Sequence, residues 1–152
     1  MSARPPAPQE PESERELATS RLLEAPIERV FAAFRDPARL ARWWGPKGFR
    51  NTFHEFDLKP GGRWLFVMHG PDGRDYPNES VFVEVKPPKR VVFKHVSSPR
   101  FEMTITFEDE RGRTRVGWRQ LFETAAERSR VAKFAEVANE QNLDRLAAVL
   151  LT

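Results

Sequence analysis

Two hydrophobic periods divide this chain. Ile27, Val30, Phe31 and Phe34 recur at i, i+3, i+4 and i+7, the spacing of one helix face, whereas beyond Phe49 apolar and polar residues alternate. Ahead of the helical run, residues 17–24 read as a strand, and Pro26 suits the first helical position, where its missing N–H costs nothing. Asp36-Pro37 repeats the cap-and-proline signal and predicts a second short helix over residues 38–44, stopped by Gly45-Pro46.

The alternating part is punctuated by Lys59-Pro60-Gly61-Gly62, Gly70-Pro71-Asp72-Gly73, Lys86-Pro87-Pro88-Lys89 and Glu110-Arg111-Gly112-Arg113, all of them turn chemistry. The spacing predicts strands over 49–58, 63–69, 76–85, 90–96, 101–108 and 114–122. With the first, that makes seven, and the short connections imply an antiparallel meander. Thr124-Ala125-Ala126-Glu127 has capping-box spacing and opens a helix running to about residue 151 without Gly or Pro, on the order of 40 Å long. The class is therefore α+β in a helix-grip arrangement. A seven-stranded curved antiparallel sheet wraps a long C-terminal helix, and two short helices lie between strands 1 and 2.

The inner face follows from the alternation. Trp64, Phe66 and Met68 share one side of their strand; Tyr76, Asn78, Phe82 and Glu84 are set on that side from the next, and Phe93 and His95 from the one after. Phe101, Met103, Ile105 and Phe107 alternate cleanly with Glu102, Thr104 and Thr106, and Trp118, Gln120 and Phe122 fall in phase with Val116. Around 53–57 the phase is open, because Phe53 and Phe56 cannot share a face under strict alternation. On the long helix, 100° steps gather Val131, Phe134, Ala135, Ala138, Asn142, Leu146 and Val149 on one face.

Ala135 and Ala138 are small and Asn142 is polar on a face meant for burial, where an amide needs a partner. Either large strand rings fill the space opposite the alanines or an internal cavity remains, lined by Phe, Trp and Met. Such a lining suits an apolar or aromatic ligand steered by few polar groups. Trp43 and Trp44 stand where the second short helix breaks off. The reading assigns one ring to the core and one to the pocket without fixing which.

Composition trims the possibilities. The 25 basic and 22 acidic residues give +3, but they interleave without a block of like charges, which argues against nucleic acid. No run of about 18 apolar residues predicts a membrane span. Cysteine is absent, which removes disulfides and thiolate metal sites and is compatible with a cytoplasmic location. Residues 1–16 carry Pro5, Pro6, Pro8 and Pro11 and read as a disordered tail before a single domain spanning 17–152.

For chemistry, His54, His69 and His95 lie on three strands without metal-ligand spacing, and neither a Gly-x-Ser-x-Gly elbow nor a phosphate loop occurs. No cofactor is expected. His95 turns inward with Val91 and Phe93 and is the single catalytic candidate; with Glu84, Asn78, Gln120 and Asn142 it can form a polar cluster. That cluster either offers an acid or base or orients a ligand, and the second reading is the simpler.

The motifs also carry a resemblance. Ala25-Pro26-Ile27-Glu28-Arg29-Val30-Phe31, Trp43-Trp44-Gly45-Pro46, Asp57-Leu58-Lys59-Pro60-Gly61-Gly62-Arg63-Trp64, Met68-His69-Gly70-Pro71-Asp72-Gly73, Tyr76-Pro77-Asn78-Glu79, Pro87-Pro88-Lys89-Arg90-Val91 and Asn142-Leu143-Asp144-Arg145-Leu146 resemble one branch of the START-related, birch-pollen-allergen-like superfamily of polyketide cyclases and lipid carriers. That branch is similar to the activator of heat-shock protein 90 ATPase. The resemblance spans roughly 17–150 and implies a deep pocket between the long helix and the sheet, for lipids, polyketides or flavonoid-like aromatics. It also implies two alternatives: a polyketide-cyclase-like enzyme using His95, and a stress-response module acting on a chaperone. The chaperone role is implied for longer members with an additional N-terminal domain. The expected partner is a small hydrophobic or aromatic molecule, and the expected state a monomer or a homodimer joined through outward Leu65, Val67 and Val92.

Overall fold

A computed structural model of the chain describes residues 10–152. Its elements are α1 (Glu12–Arg15), β1 (Glu16–Leu23), α2 (Ile27–Arg35), α3 (Pro37–Trp43), β2 (Arg50–Phe56), β3 (Arg63–His69), β4 (Asp75–Lys86), β5 (Arg90–His95), β6 (Phe101–Glu110), β7 (Arg113–Phe122) and α4 (Ala125–Val149). The seven strands pair antiparallel in the order β1-β7-β6-β5-β4-β3-β2. The two short helices thus carry the chain from one edge of the sheet to the other, and β3 to β7 return strand by strand to meet β1. This is the expected helix-grip arrangement.

The helix starts follow their caps. The Asp36 carboxylate accepts from the Ala38 N–H at 3.0 Å with Pro37 behind it, and Thr124 Oγ1 accepts from the Glu127 N–H at 3.1 Å. Each such cap contributes about 1 kcal/mol. The capping box at the start of α4 is only half formed, because the Glu127 carboxylate turns to Arg130 at 2.8 Å, one helical turn on.

Two bulges adjust the strand phases. Between Phe53 and Glu55 the β2–β3 register shifts, so Phe53 and Phe56 both face inward with ring centroids 5.9 Å apart. Between Phe82 and Glu84 the β4–β5 register shifts in the same way, and Val85 rather than Glu84 packs toward the core. The Gly61-Gly62 turn grips that second bulge: the Gly61 N–H donates to the Phe82 carbonyl at 2.8 Å and the Phe82 N–H to the Gly62 carbonyl at 2.9 Å.

The main core lies between the sheet and α2, α3 and the C-terminal half of α4. Phe31 meets Phe107 edge to face at 5.3 Å, and Trp64 stacks on Phe66 at 4.6 Å. Full burial of such side chains contributes roughly 1.5–3 kcal/mol each.

Two expectations change at the margins. Of the segment read as a tail, residues 1–9 lie outside the described residues, but residues 10–16 are placed: Glu12–Arg15 form a helical turn and Glu16 begins β1. Arg15 is buried and donates to the Phe122 carbonyl at 2.9 Å, while Arg119 pairs with Glu16 at 2.5 Å and Glu12 at 3.1 Å. Composition does not show such anchors, because the partners come from the far end of the chain. On the outer face of the sheet, Val92 is buried rather than exposed, and Leu65 and Val67 are half-buried, so the expected apolar patch is smaller.

Candidate functional site

The site begins where α3 ends. Trp43 closes the helix, and the next residues cross from it to β2 with few backbone hydrogen bonds, among them the Trp44 N–H to the Leu40 carbonyl and the Phe49 N–H to the Pro46 carbonyl. Their carbonyls are also bonded by side chains. Asn142 Nδ2 donates to the Trp43 carbonyl at 2.8 Å, and Asn51 Nδ2 to the Trp44 carbonyl at 2.8 Å. Arg145 spans the rest, donating to the carbonyls of Arg42, Trp44, Gly45, Pro46 and Phe49 at 2.8–3.0 Å. Burial lowers the Arg145 pKa, and in place of a carboxylate the guanidinium is held by these carbonyl dipoles. Asn142 is thus the partnered amide that its place on the helix face required.

This anchoring sends the two tryptophans apart. Trp43 is fully buried, with Nε1 donating to the Ala33 carbonyl at 2.9 Å. Trp44 projects into the concave face, its ring centroid 4.8 Å from Trp64, 5.4 Å from Trp118 and 5.9 Å from Phe93. Beside Trp44 a cavity of about 320 Å³ lies between the sheet and α4. Its walls are predominantly apolar, and Ala135 and Ala138 lie on the helix side with Val131, Phe134, Asn139 and Asn142. A larger side chain at either alanine would occupy that space.

The cavity collects Trp44, Phe66, Met68, Asn78, Phe93, His95, Met103, Trp118, Gln120, Phe134, Ala138 and Asn142 from the residues anticipated by sequence. Phe31, Trp43, Trp64, Phe82, Ile105 and Phe107 sit in the packed core and do not line it. The strand residues among them face inward as expected, but α2 and α3, which carry Phe31 and Trp43, cover that end of the sheet. Tyr76 lies near the end of the sheet, 40% exposed, its hydroxyl donating to Asp72 at 2.7 Å. Glu84 is turned away by the bulge and pairs with Lys86 at 3.1 Å and Arg90 at 3.2 Å; its hydrogen bond with Lys86 lowers its pKa. Phe134 borders the cavity yet is 69% exposed, so it stands at the mouth rather than on a buried face.

Sequence reasoning missed Ser80, Pro99 and Asn139 as lining residues, and left Phe101, Phe122 and Val131 out of the site although their inward phase was visible. Ser80 was within reach, since it lies between Asn78 and Phe82 in steps of two. Pro99 and Asn139 gave no signal, one being in a loop and the other at the flank of the helix stripe.

The polar groups are few. Asn139 Nδ2 donates to Gln120 Oε1 at 3.0 Å. His95 stacks on Phe101 at 4.7 Å, its Nδ1 donates to the Pro99 carbonyl at 2.7 Å, and its Nε2 lies 2.6 Å from Asn78 Oδ1. Burial lowers the His95 pKa against smaller opposing effects of its hydrogen bonds. Two buried groups lining the cavity, the Ser80 hydroxyl and the Trp118 Nε1–H, have no hydrogen-bond partner among the described residues.

Comparison with known proteins agrees with this geometry. The family model described as activator of Hsp90 ATPase homolog 1-like protein matches residues 24–151. The chain belongs to this family. The activator-of-Hsp90-ATPase-homolog-like domain here therefore lies in the START and polyketide-cyclase-like superfamily, whose fold commonly binds hydrophobic ligands. No curated protein matches the chain.

Among solved structures the domain is similar to a protein from Arthrobacter aurescens, with TM-score 0.85 at 24% identity over 93% of this chain and 89% of that one. A protein from Nitrosomonas europaea gives TM-score 0.83 at 22% identity over 93% and 97%. An AHSA1-like protein from Aeromonas hydrophila gives TM-score 0.72 at 25% identity over 90% and 95%. The first two likenesses concern the fold alone. Among the described residues, no helix is long and apolar enough to cross a membrane.

Proposed function

We propose that this domain binds a small hydrophobic or aromatic molecule, of lipid, polyketide or flavonoid-like character, in the cavity between α4 and the sheet. The observation that carries the reading is the cavity's lining. Aromatic and Met side chains from the sheet form one wall, Ala135 and Ala138 with Val131 and Phe134 line the side of α4, and the polar groups are a few amides, a hydroxyl and one imidazole. Its volume of about 320 Å³ lies at the lower end of the roughly 300–1,000 Å³ occupied by small-molecule sites. The exposed Phe134 at the mouth offers an incoming apolar molecule its first contact.

The polar groups favour orientation of a ligand over catalysis. Both nitrogens of His95 already face protein groups, Nδ1–H the Pro99 carbonyl and Nε2 the Asn78 oxygen, rather than a bound molecule from which a proton would be taken. A panel of lipids, flavonoids and fused-ring aromatics tests the reading through thermal shift. Members that fit raise Tm, since binding to the folded state alone stabilises it. Met103→Trp, which places a large ring in the cavity, removes that shift. A panel in which no apolar compound changes Tm overturns the proposal.

A further inference from the structure

The polar end of the cavity is incomplete in a specific way. Ser80 on β4 and His95 on β5 are register partners, so their side chains are neighbours on the concave face. Asn78, two residues before Ser80, is fixed in orientation because its Nδ2 donates to the Tyr76 carbonyl at 2.8 Å. Its Oδ1 therefore faces His95 Nε2 at 2.6 Å as an acceptor. The other ring nitrogen already spends a proton on the Pro99 carbonyl.

A neutral His95 has one N–H, so Nε2 then presents a lone pair to the Asn78 oxygen. The Ser97 hydroxyl, 3.3 Å away, can donate to that lone pair but does not relieve the closer oxygen contact. An imidazolium satisfies both contacts at once, and every hydrogen bond of the ring then runs from donor to acceptor. What the imidazolium lacks is a counter-charge. Among the described residues no Asp or Glu lines the cavity, and α4 contributes no ionisable group to it.

A second groove that His95 also lines carries the charged groups Glu12, Arg15, Lys94, Arg100, Glu102 and Glu123. Those three cations and three carboxylates balance, Arg100 pairing with Glu123 and Lys94 lying in register with Glu102. The groove therefore adds no net charge. Ser80, 1% exposed, brings a hydroxyl to the same end of the cavity with no partner among the described residues.

We propose that the cavity selects an apolar or aromatic acid, whose single carboxylate or comparably acidic oxygen sits between Ser80 and His95 and draws a proton onto the ring as it binds. This deepens the ligand-binding reading and rests on it. The Ser80 hydroxyl donates to the anion, the imidazolium supplies its counter-charge, and Trp44, Phe93 and Met103 hold the apolar body. The proton comes from solvent, so no other co-reactant is needed. Burial keeps the ring neutral when the cavity is empty, which makes proton uptake part of the binding event.

The test compares two ligands of one shape, 2-naphthoate and 2-acetonaphthone, by calorimetry on the full chain in phosphate and in Tris. N-phenyl-1-naphthylamine serves as a neutral reporter of the cavity. The acid is expected to bind about ten-fold or more tightly than the ketone, as a charge-assisted hydrogen bond allows. The buffer comparison is expected to show uptake of about one proton per naphthoate at pH near 7.5 and none for the ketone. In His95→Gln the proton uptake is abolished and the acid binds no more tightly than the ketone. The wild-type comparison decides alone if that variant does not fold.

Equal affinities without proton uptake overturn the proposal and leave the cavity reading intact. A preference for the acid without proton uptake overturns the role of His95. Binding of the reporter but of neither naphthalene overturns the proposal, and failure of all three ligands removes the cavity reading as well.

Discussion

Arg145 donates to the Trp44 carbonyl at 3.0 Å, so a cation on the long helix holds the backbone of a tryptophan that lines the cavity. The same guanidinium reaches the carbonyls on either side, which makes it the main link between α4 and the segment joining α3 to β2. An ammonium has neither the fork geometry nor the donors to replace it.

Arg145→Ala is therefore expected to cost roughly 2–4 kcal/mol in chemical denaturation, and Arg145→Lys to recover less than half of that. A Lys variant as stable as wild type would mean that charge alone, and not the bonded carbonyls, accounts for the effect.

Gly61 and Gly62 are adjacent but differ in what limits them. A Cβ at Gly62 would run into the Asp57 carbonyl oxygen, whereas at Gly61 the space is open and the constraint is its φ of +82°. Gly61→Ala should cost about 1–2 kcal/mol and Gly62→Ala more, about 2–4 kcal/mol, because backbone must move. Thermal denaturation of the two variants checks the order, and a reversal contradicts the turn as described.

The pH dependence of the empty protein follows from His95. Burial lowers its pKa below the ordinary value of 6.5, so the unfolded chain takes up this proton at a higher pH than the folded chain does. The stability contributed by the neutral ring is complete above the unfolded value and is lost as pH falls below it toward the lower folded value. Between about pH 7.5 and 5.5, wild type should lose Tm faster than His95→Gln. Parallel curves for the two proteins would contradict the assignment.

Much of the fold was legible because it rests on local signals. Period, turns and caps marked seven strands, two short helices and the long one, since each reports the chemistry of a few neighbouring residues. The departures arise where the cause is distant. The bulge after Phe82 that turns Glu84 outward is held by the turn at Gly61-Gly62, some twenty residues earlier, and strict alternation cannot anticipate it. The same limit left the phase around Phe53 open and hid the docking of Arg15 on β7. Inward phase identified which side chains face the helices but not where α2 and α3 stop, and that boundary separates Phe82 and Ile105 in the core from Phe93 and Met103 in the cavity.

The central claim is that the space opposite Ala138 receives a ligand, and Ala138→Phe tests it most directly, since Ala138 is half-buried and lines the cavity. Fluorescence titration with N-phenyl-1-naphthylamine should show affinity reduced about ten-fold or more, with Tm held within about 4 °C of wild type. Val83→Phe, at an exposed position of β4, should bind the reporter as wild type does. Unchanged binding in a folded Ala138→Phe protein would contradict the cavity as the ligand site.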